Sequence, residues 1–133
     1  MIQERYCSFD VARLLKEKGF DEPCRTYYGD DKFNNDVCNQ FYQWNSKSPF
    51  GHISAPTHQM ACDWLREKGI FMYVEPFITI SSRGYNLEGY KPWVTEFKKN
   101  WFNPLHEQGK VVYTKSYEEA IEEALKYCLT NLL

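Results

Sequence analysis

Two decapeptides fifty residues apart end in the same way: Val11-Ala-Arg-Leu-Leu-Lys-Glu-Lys-Gly-Phe20 and Ala61-Cys-Asp-Trp-Leu-Arg-Glu-Lys-Gly-Ile70. In each, apolar residues spaced three and four apart run up to a glycine and then meet a large apolar residue. A helix closed by a left-handed glycine lets that next residue fold back on the last turn, the Schellman arrangement. The spacing therefore predicts two short amphipathic helices, each turning sharply into an extended segment. Ser8 is the expected N-cap of the first, with Asp10 facing its dipole, and Pro56 and Thr57 open the second. Val11, Leu14 and Leu15 form one inward stripe, and Met60, Ala61, Trp64 and Leu65 the other. Only four of the ten positions are identical, which favours two independent helix stops over a duplicated unit.

A third helix is predicted at the C-terminal end. Ser116 and Glu119 have capping-box spacing, and Tyr117, Ala120, Ile121, Ala124, Leu125, Cys128, Leu129 and Leu132 fall on one face. The acids from Glu118 to Glu123 read as its wet face. Between the helices the pattern is extended. Residues 24–29 and 37–45 read as a hairpin around the polar stretch Gly29 to Asp36. Phe71 to Ile80 reads as a strand bent at Pro76, Ser81 to Gly89 as a turn, and Lys110 to Thr114 as a short strand. Residues 90–102 fit strand or helix spacing, and their extended neighbours favour strand. The order α-β-β-α-β-β-β-α predicts an α+β fold, one antiparallel sheet with three helices packed mainly on one face.

At 133 residues the chain is expected to be a single domain, 1–133. A net charge of −2 gives no global field for duplex DNA, whose phosphates reward a basic excess. The five cysteines include no C-x-x-C pair, and Met1 to Tyr6 lacks the basic and apolar regions of a secretion signal. The longest apolar run, Ile70 to Ile80, is broken by Glu75 and Pro76 and is too short for a bilayer. A cytoplasmic location with reduced thiols and no membrane contact is the expectation.

Ala55-Pro-Thr57, Trp64-Leu65-Arg-Glu67-Lys68 with a strand from Ile70, and the segment Tyr117-Glu-Glu-Ala-Ile-Glu-Glu-Ala-Leu-Lys-Tyr-Cys-Leu-Thr-Asn-Leu132 together resemble a family of small uncharacterised proteins. That family is common in gut bacteria, their phages and mobile elements, and Ser8 to Phe20 is similar to the same group. The resemblance covers about half the chain. It leaves out residues 25–52 and 81–109, and family members often carry a His where Gly69 stands. It implies a small α+β fold and a mobile-element setting, and it carries no activity.

No candidate catalytic set stands out. His52, His58 and His106 accompany the cysteines and acids, but G-x-S-x-G, H-E-x-x-H and a phosphate-cradling glycine loop are all missing from the sequence. Zinc would draw on His58 with Cys62, or on Cys24 with Cys38. Structural zinc needs four N or S ligands, so buried thiols are the simpler reading. Asp30, Asp31, Asn34, Asn35 and Asp36 lack the glycine and bidentate Glu positions of a calcium loop. No enzyme activity, metal or cofactor is expected. The aromatic content of 17% is the outlier, and most of it suits a half-buried sheet.

The expected binding surface lies in 90–102, where Trp93, Phe97 and Trp101 alternate with Lys91, Lys98 and Lys99. Two partners suit it. One is another protein, or a second copy of the chain. The alternative is a single-stranded nucleic acid, for which aromatic rings offer stacking platforms beside basic side chains.

Overall fold

The computed structural model describes residues 1–30, 32–35, 44–48, 51–97, 101–104, 106–107, 110–111 and 113–133. Three helices form: α1 (Phe9–Glu17), α2 (His58–Glu67) and α3 (Tyr117–Asn131). All three are capped as the sequence implies. Ser8, Thr57 and Ser116 each accept an amide hydrogen bond from the residue three positions on. Gly19 has φ of 94°, and the amides of Gly19 and Phe20 donate to the carbonyls of Lys16 and Leu15, the paired bonds of a Schellman stop. Gly69 repeats the left-handed turn, its amide donating to Arg66.

The fold is α+β, but its strands do not make one sheet. β1 (Thr26–Gly29) is the centre of a first antiparallel sheet, with β2 (Lys32–Asn35) on one side and β3 (Ile53–Ser54) on the other. β4 (Ile70–Ser81), β5 (Gly84–Glu96) and β6 (Trp101–Pro104) make a second, with β5 central. β7 (His106–Glu107) and β8 (Lys110–Val111) form a separate ribbon. The expected single sheet is divided because α2 intervenes between β3 and β4 and each hairpin closes on itself.

The first hairpin is also tighter than expected. Lys32 pairs with Gly29 and Asn35 with Thr26, so residues read as a long polar loop are a strand. The expected strand at 37–45 falls mostly outside the described residues, and its end, Asn45 to Lys47, is a short 3-10 turn. In the second hairpin the expected turn at Ser81 to Gly89 shrinks to Ser82 and Arg83. Ser81 already pairs with Gly84, whose φ of 113° closes the loop, and pairing continues through Tyr85, Asn86 and Leu87. Polar and glycine residues suggested a turn there, yet cross-strand pairing to an apolar β4 holds them extended.

Leu15, Leu65 and Leu125 have no exposed surface, and with Phe20, Trp64, Ile70, Val94 and Leu129 they make one core. Phe20 sits edge-on to Trp64, ring centres 5.6 Å apart. Ile70, Met72 and Val74 of β4 and Val94 of β5 carry this core onto the inner face of the second sheet. Burying each such side chain contributes about 1.5–3 kcal/mol, which makes this layer the main stabilising element. At Gly89 the strand Thr114 crosses so closely that any Cβ would overlap the Thr114 carbonyl. Tyr90 and Thr114 there exchange two backbone hydrogen bonds of 2.8 Å, tying the entry of α3 to β5. No helix among the described residues is long and apolar enough to cross a membrane.

Candidate functional site

Two features stand apart from this core, one polar and one apolar. The polar one is an open cleft of about 760 Å³ between the N-terminal segment and α3, lined by Arg5, Ser8, His58, Lys115, Glu118 and Glu122. At its base the Glu122 carboxylate accepts three hydrogen bonds. Ser8 donates its amide (2.9 Å) and its hydroxyl (2.7 Å), and His58 Nε2 lies 2.7 Å from Oε1. The side chains of His58 and Glu122 are only 13% and 18% exposed, so the pair is largely withdrawn from water. Burial pushes the Glu122 carboxyl up, but the bonds from His58 and Ser8 together outweigh it and hold the group below its ordinary value.

This arrangement corrects the expectation that Glu118 to Glu123 form one wet face. Glu122 turns inward because Ser8 at the start of α1 and His58 at the start of α2 both present donors to it. Helix N-termini favour a negative charge, so one carboxylate serves two helix starts at once. Tyr117 departs in the opposite direction. Helical spacing puts it on the buried stripe, yet it is 49% exposed, its ring edge-on to Tyr90.

Ser8, His58 and Glu122 share the residue types of a hydrolytic triad without its geometry. The Ser8 hydroxyl donates to the carboxylate rather than to His58, while its lone pair caps Val11. A nucleophilic serine needs the imidazole as its base, with the carboxylate behind it. Here the carboxylate is in the middle, and the set locks three helices together.

The thiols are similarly committed. Cys7, Cys24 and Cys128 are buried and Cys62 is half-buried. Burial pushes Cys24 and Cys62 up to about 11, Cys128 up to about 12, and Cys7 well above the usual thiol range. Thiols held protonated are poor nucleophiles and poor ligands. Among the described residues no three His, Cys, Asp or Glu side chains converge on a point that would hold a metal ion. Cys38 lies outside the described residues, as do Asp31 and Asp36 of the polar stretch; Lys32–Asn35 are strand.

Of the expected binding surface, Lys91 and Trp93 lie on β5 with side chains on the face away from the helices. Trp93 stacks on Tyr73 at 6.1 Å and donates Nε1–H to Glu75, while the Lys91 ammonium sits 4.4 Å above the Phe77 ring. Phe97 follows β5, is largely exposed, and donates its amide to Gly69. Trp101 enters through backbone pairing with Glu96, and Lys98 and Lys99 lie outside the described residues.

The apolar feature lies on the β4–β5 hairpin, outside the binding surface expected from the sequence. β4 and β5 are 12 and 13 residues long, so the hairpin extends about 40 Å, and its distal half passes beyond the helices. On β4 the side chains of Ile70, Met72, Val74, Ile78 and Ile80 alternate onto one face. The first three are covered by the core. Ile78 and Ile80 continue the same face outward, paired across the ribbon with Leu87 and Tyr85. Their exposures are 50% (Ile78), 78% (Ile80), 78% (Tyr85) and 57% (Leu87). The register shift between Phe77 and Ile78, where Glu88 is the extra residue on β5, sets this arm off from the base. The opposite face is polar, with Thr79 donating to Glu88 at 2.8 Å. The alternating Phe77-Ile-Thr-Ile80 pattern held the signal for this arm, but reading Ser81 to Gly89 as a turn removed the second strand that makes a surface of it.

Compared with known proteins, the chain matches no family model, no curated protein and no solved structure.

Proposed function

We propose that this protein works by binding protein through the distal arm of the β4–β5 hairpin, without catalysis, in the cytoplasm of a cell carrying a phage or mobile element. The observation that carries this reading is the continuation of the core-facing apolar stripe onto an uncovered ribbon. Four large apolar side chains in two adjoining cross-strand rungs make a contiguous patch, of about the size of the largest and often functional patch on a monomeric protein. In the polar cleft, Ser8, His58 and Glu122 are committed to one another in joining α1, α2 and α3, which supports the same reading. The mobile-element setting rests on the resemblance of the α1, α2 and α3 sequences alone.

The nucleic-acid alternative draws on Lys91 beside Trp93 and Phe77. Nothing in their geometry favours it, since Lys91 lies over one ring and Trp93 is hydrogen-bonded to an acid.

A photo-crosslinking residue placed at Leu87, in full-length protein expressed in bacterial cells, tests the reading. Irradiation should yield discrete protein adducts, including adducts between copies, that vanish when the label is moved to Asn86 on the polar face. Absence of any protein adduct, or adducts removed by nuclease, would overturn it.

A further inference from the structure

The distal arm is a structural problem as it stands. A two-stranded ribbon is at best marginally stable in water, and persists where further strands or a packed face support it. Beyond Pro76 and Gly89 no described residue pairs with either edge of the ribbon. Its apolar face, Ile78, Ile80, Tyr85 and Leu87, continues the core stripe, and each of the four side chains is at least half exposed.

We propose that a second copy of this chain covers it, the two arms stacking face to face about a twofold axis. The inference rests on the protein-binding reading above and names the protein bound. Four lines support a second copy. First, the size fits. From their exposures the four side chains offer on the order of 500 Å² per copy, so two arms bury about 1,000 Å², the lower bound for a specific interface before any rim is counted.

Second, the charge fits. Residues 77–88 contain one cation, Arg83, and one anion, Glu88, so two copies meet without net repulsion. The same neutrality removes the field that a phosphate backbone would need. Third, the patch can complement itself. It has two rungs, Ile78 with Leu87 and Ile80 with Tyr85. A twofold axis between them lays the outer rung of each copy on the inner rung of the other, as an isologous interface requires.

Fourth, the apolar residues line the shaft and not the tip. The tip is Ser81, Ser82, Arg83 and Gly84, and the reverse face carries Thr79, Asn86 and Glu88. Pushing the arm end-on into a bilayer would bury those polar groups, whereas face-to-face stacking leaves them in water.

The experiment is sedimentation equilibrium of the full-length protein from 1 to about 100 μM, concentrations that bracket the affinity of an interface this small. The expected result is a reversible monomer–dimer equilibrium. Ile80→Lys with Tyr85→Lys should weaken it at least about a hundredfold, by removing two apolar contacts per copy and setting each lysine against the apolar inner rung of the other copy. Both sites are exposed and lie outside the helical core, so the helical far-UV circular dichroism should be unchanged. Asn86→Lys, on the same ribbon but its other face, should leave dimerisation intact.

A monomer throughout this range overturns the inference. So does a dimer that survives the double substitution, or one that Asn86→Lys disrupts equally. Monomeric protein that floats with phosphatidylcholine/phosphatidylglycerol vesicles would assign the arm to a membrane instead. Failure here is distinct from failure of the protein-binding reading. A monomer whose Leu87 label still captures another protein loses the dimer alone, and one that captures none loses both.

Discussion

Replacing Glu122 by alanine removes the acceptor of three hydrogen bonds at once, from the Ser8 amide, the Ser8 hydroxyl and His58. Each of these donors belongs to a different helix start from the one that carries Glu122, so the loss falls on tertiary structure and not on α3 alone. A hydrogen bond to a charged group contributes about 1.5–3 kcal/mol, and stripping one partner from a buried pair costs about 3–5 kcal/mol. Because the cleft above the site admits water to the orphaned donors, the lower part of that range applies, about 2–4 kcal/mol. For a domain of this size that lowers Tm by roughly 6–15 °C.

The pH dependence follows from the same geometry. The Glu122 carboxyl is held below its ordinary value in the folded state, so unfolding raises its affinity for protons. Its contribution is therefore complete above the unfolded carboxyl pKa, about 4.3, and disappears as pH falls through the lower folded value. Urea titrations of wild type and Glu122→Ala, followed by far-UV circular dichroism, should show a gap at pH 7 that narrows below about pH 4. Glu122→Gln, which keeps an acceptor oxygen, should lose less than alanine. A difference under about 0.5 kcal/mol at pH 7, or a gap that does not change with acidification, would refute the latch.

Three further outcomes test other parts of the structure. Gly89→Ala forces a Cβ against the Thr114 carbonyl and should cost about 1–3 kcal/mol, with faster amide exchange at Tyr90 and Thr114 and little change in α1. Thiol titration at pH 8 should find Cys62, held up at about 11, reacting slowly, and Cys7, Cys24 and Cys128 reacting only once denaturant is added; rapid modification of the buried three in native protein would contradict the core. Single-stranded DNA and RNA should not be retarded in gels at low salt with protein up to about 10 μM, and retardation that Lys91→Ala abolishes would revive the nucleic-acid alternative.

How far the sequence anticipates this structure depends on the range of the interaction. The caps at Ser8, Thr57 and Ser116 and the stop at Gly19 are local devices, completed within a few residues, and each forms where its pattern predicts. The core stripes of α1, α2 and α3 are legible for the same reason, since helical periodicity reports burial directly. Strand boundaries depend on partners far along the chain. Tyr85 to Leu87 is extended because β4 lies beside it, and Lys32 to Asn35 because β1 does; neither has a strong strand pattern of its own. β3 is two residues long and visible only through its pairing with Tyr27 and Tyr28.

The latch shows the same limit among side chains. Ser8 is legible as a cap, and His58 only as a possible zinc partner of Cys62, and their convergence on Glu122 spans 114 and 64 residues. No spacing rule relates positions so distant. A glutamate flanking an apolar stripe, with acids on either side, has the sequence signature of a solvated residue.

That span also bears on how the chain acquires its shape during synthesis. Tyr6 and Cys7 pair with Thr57 and Pro56 about fifty residues on, and Ser8 closes onto Glu122, so the contacts of Tyr6 to Ser8 are complete only once α3 has been synthesised. Contacts of such long sequence separation make assembly slow. Until α3 emerges, the sheet face carrying Met72, Val74 and Val94 lacks its cover. A nascent chain stalled before Ser116 would present this adhesive surface to its surroundings, a natural substrate for chaperones.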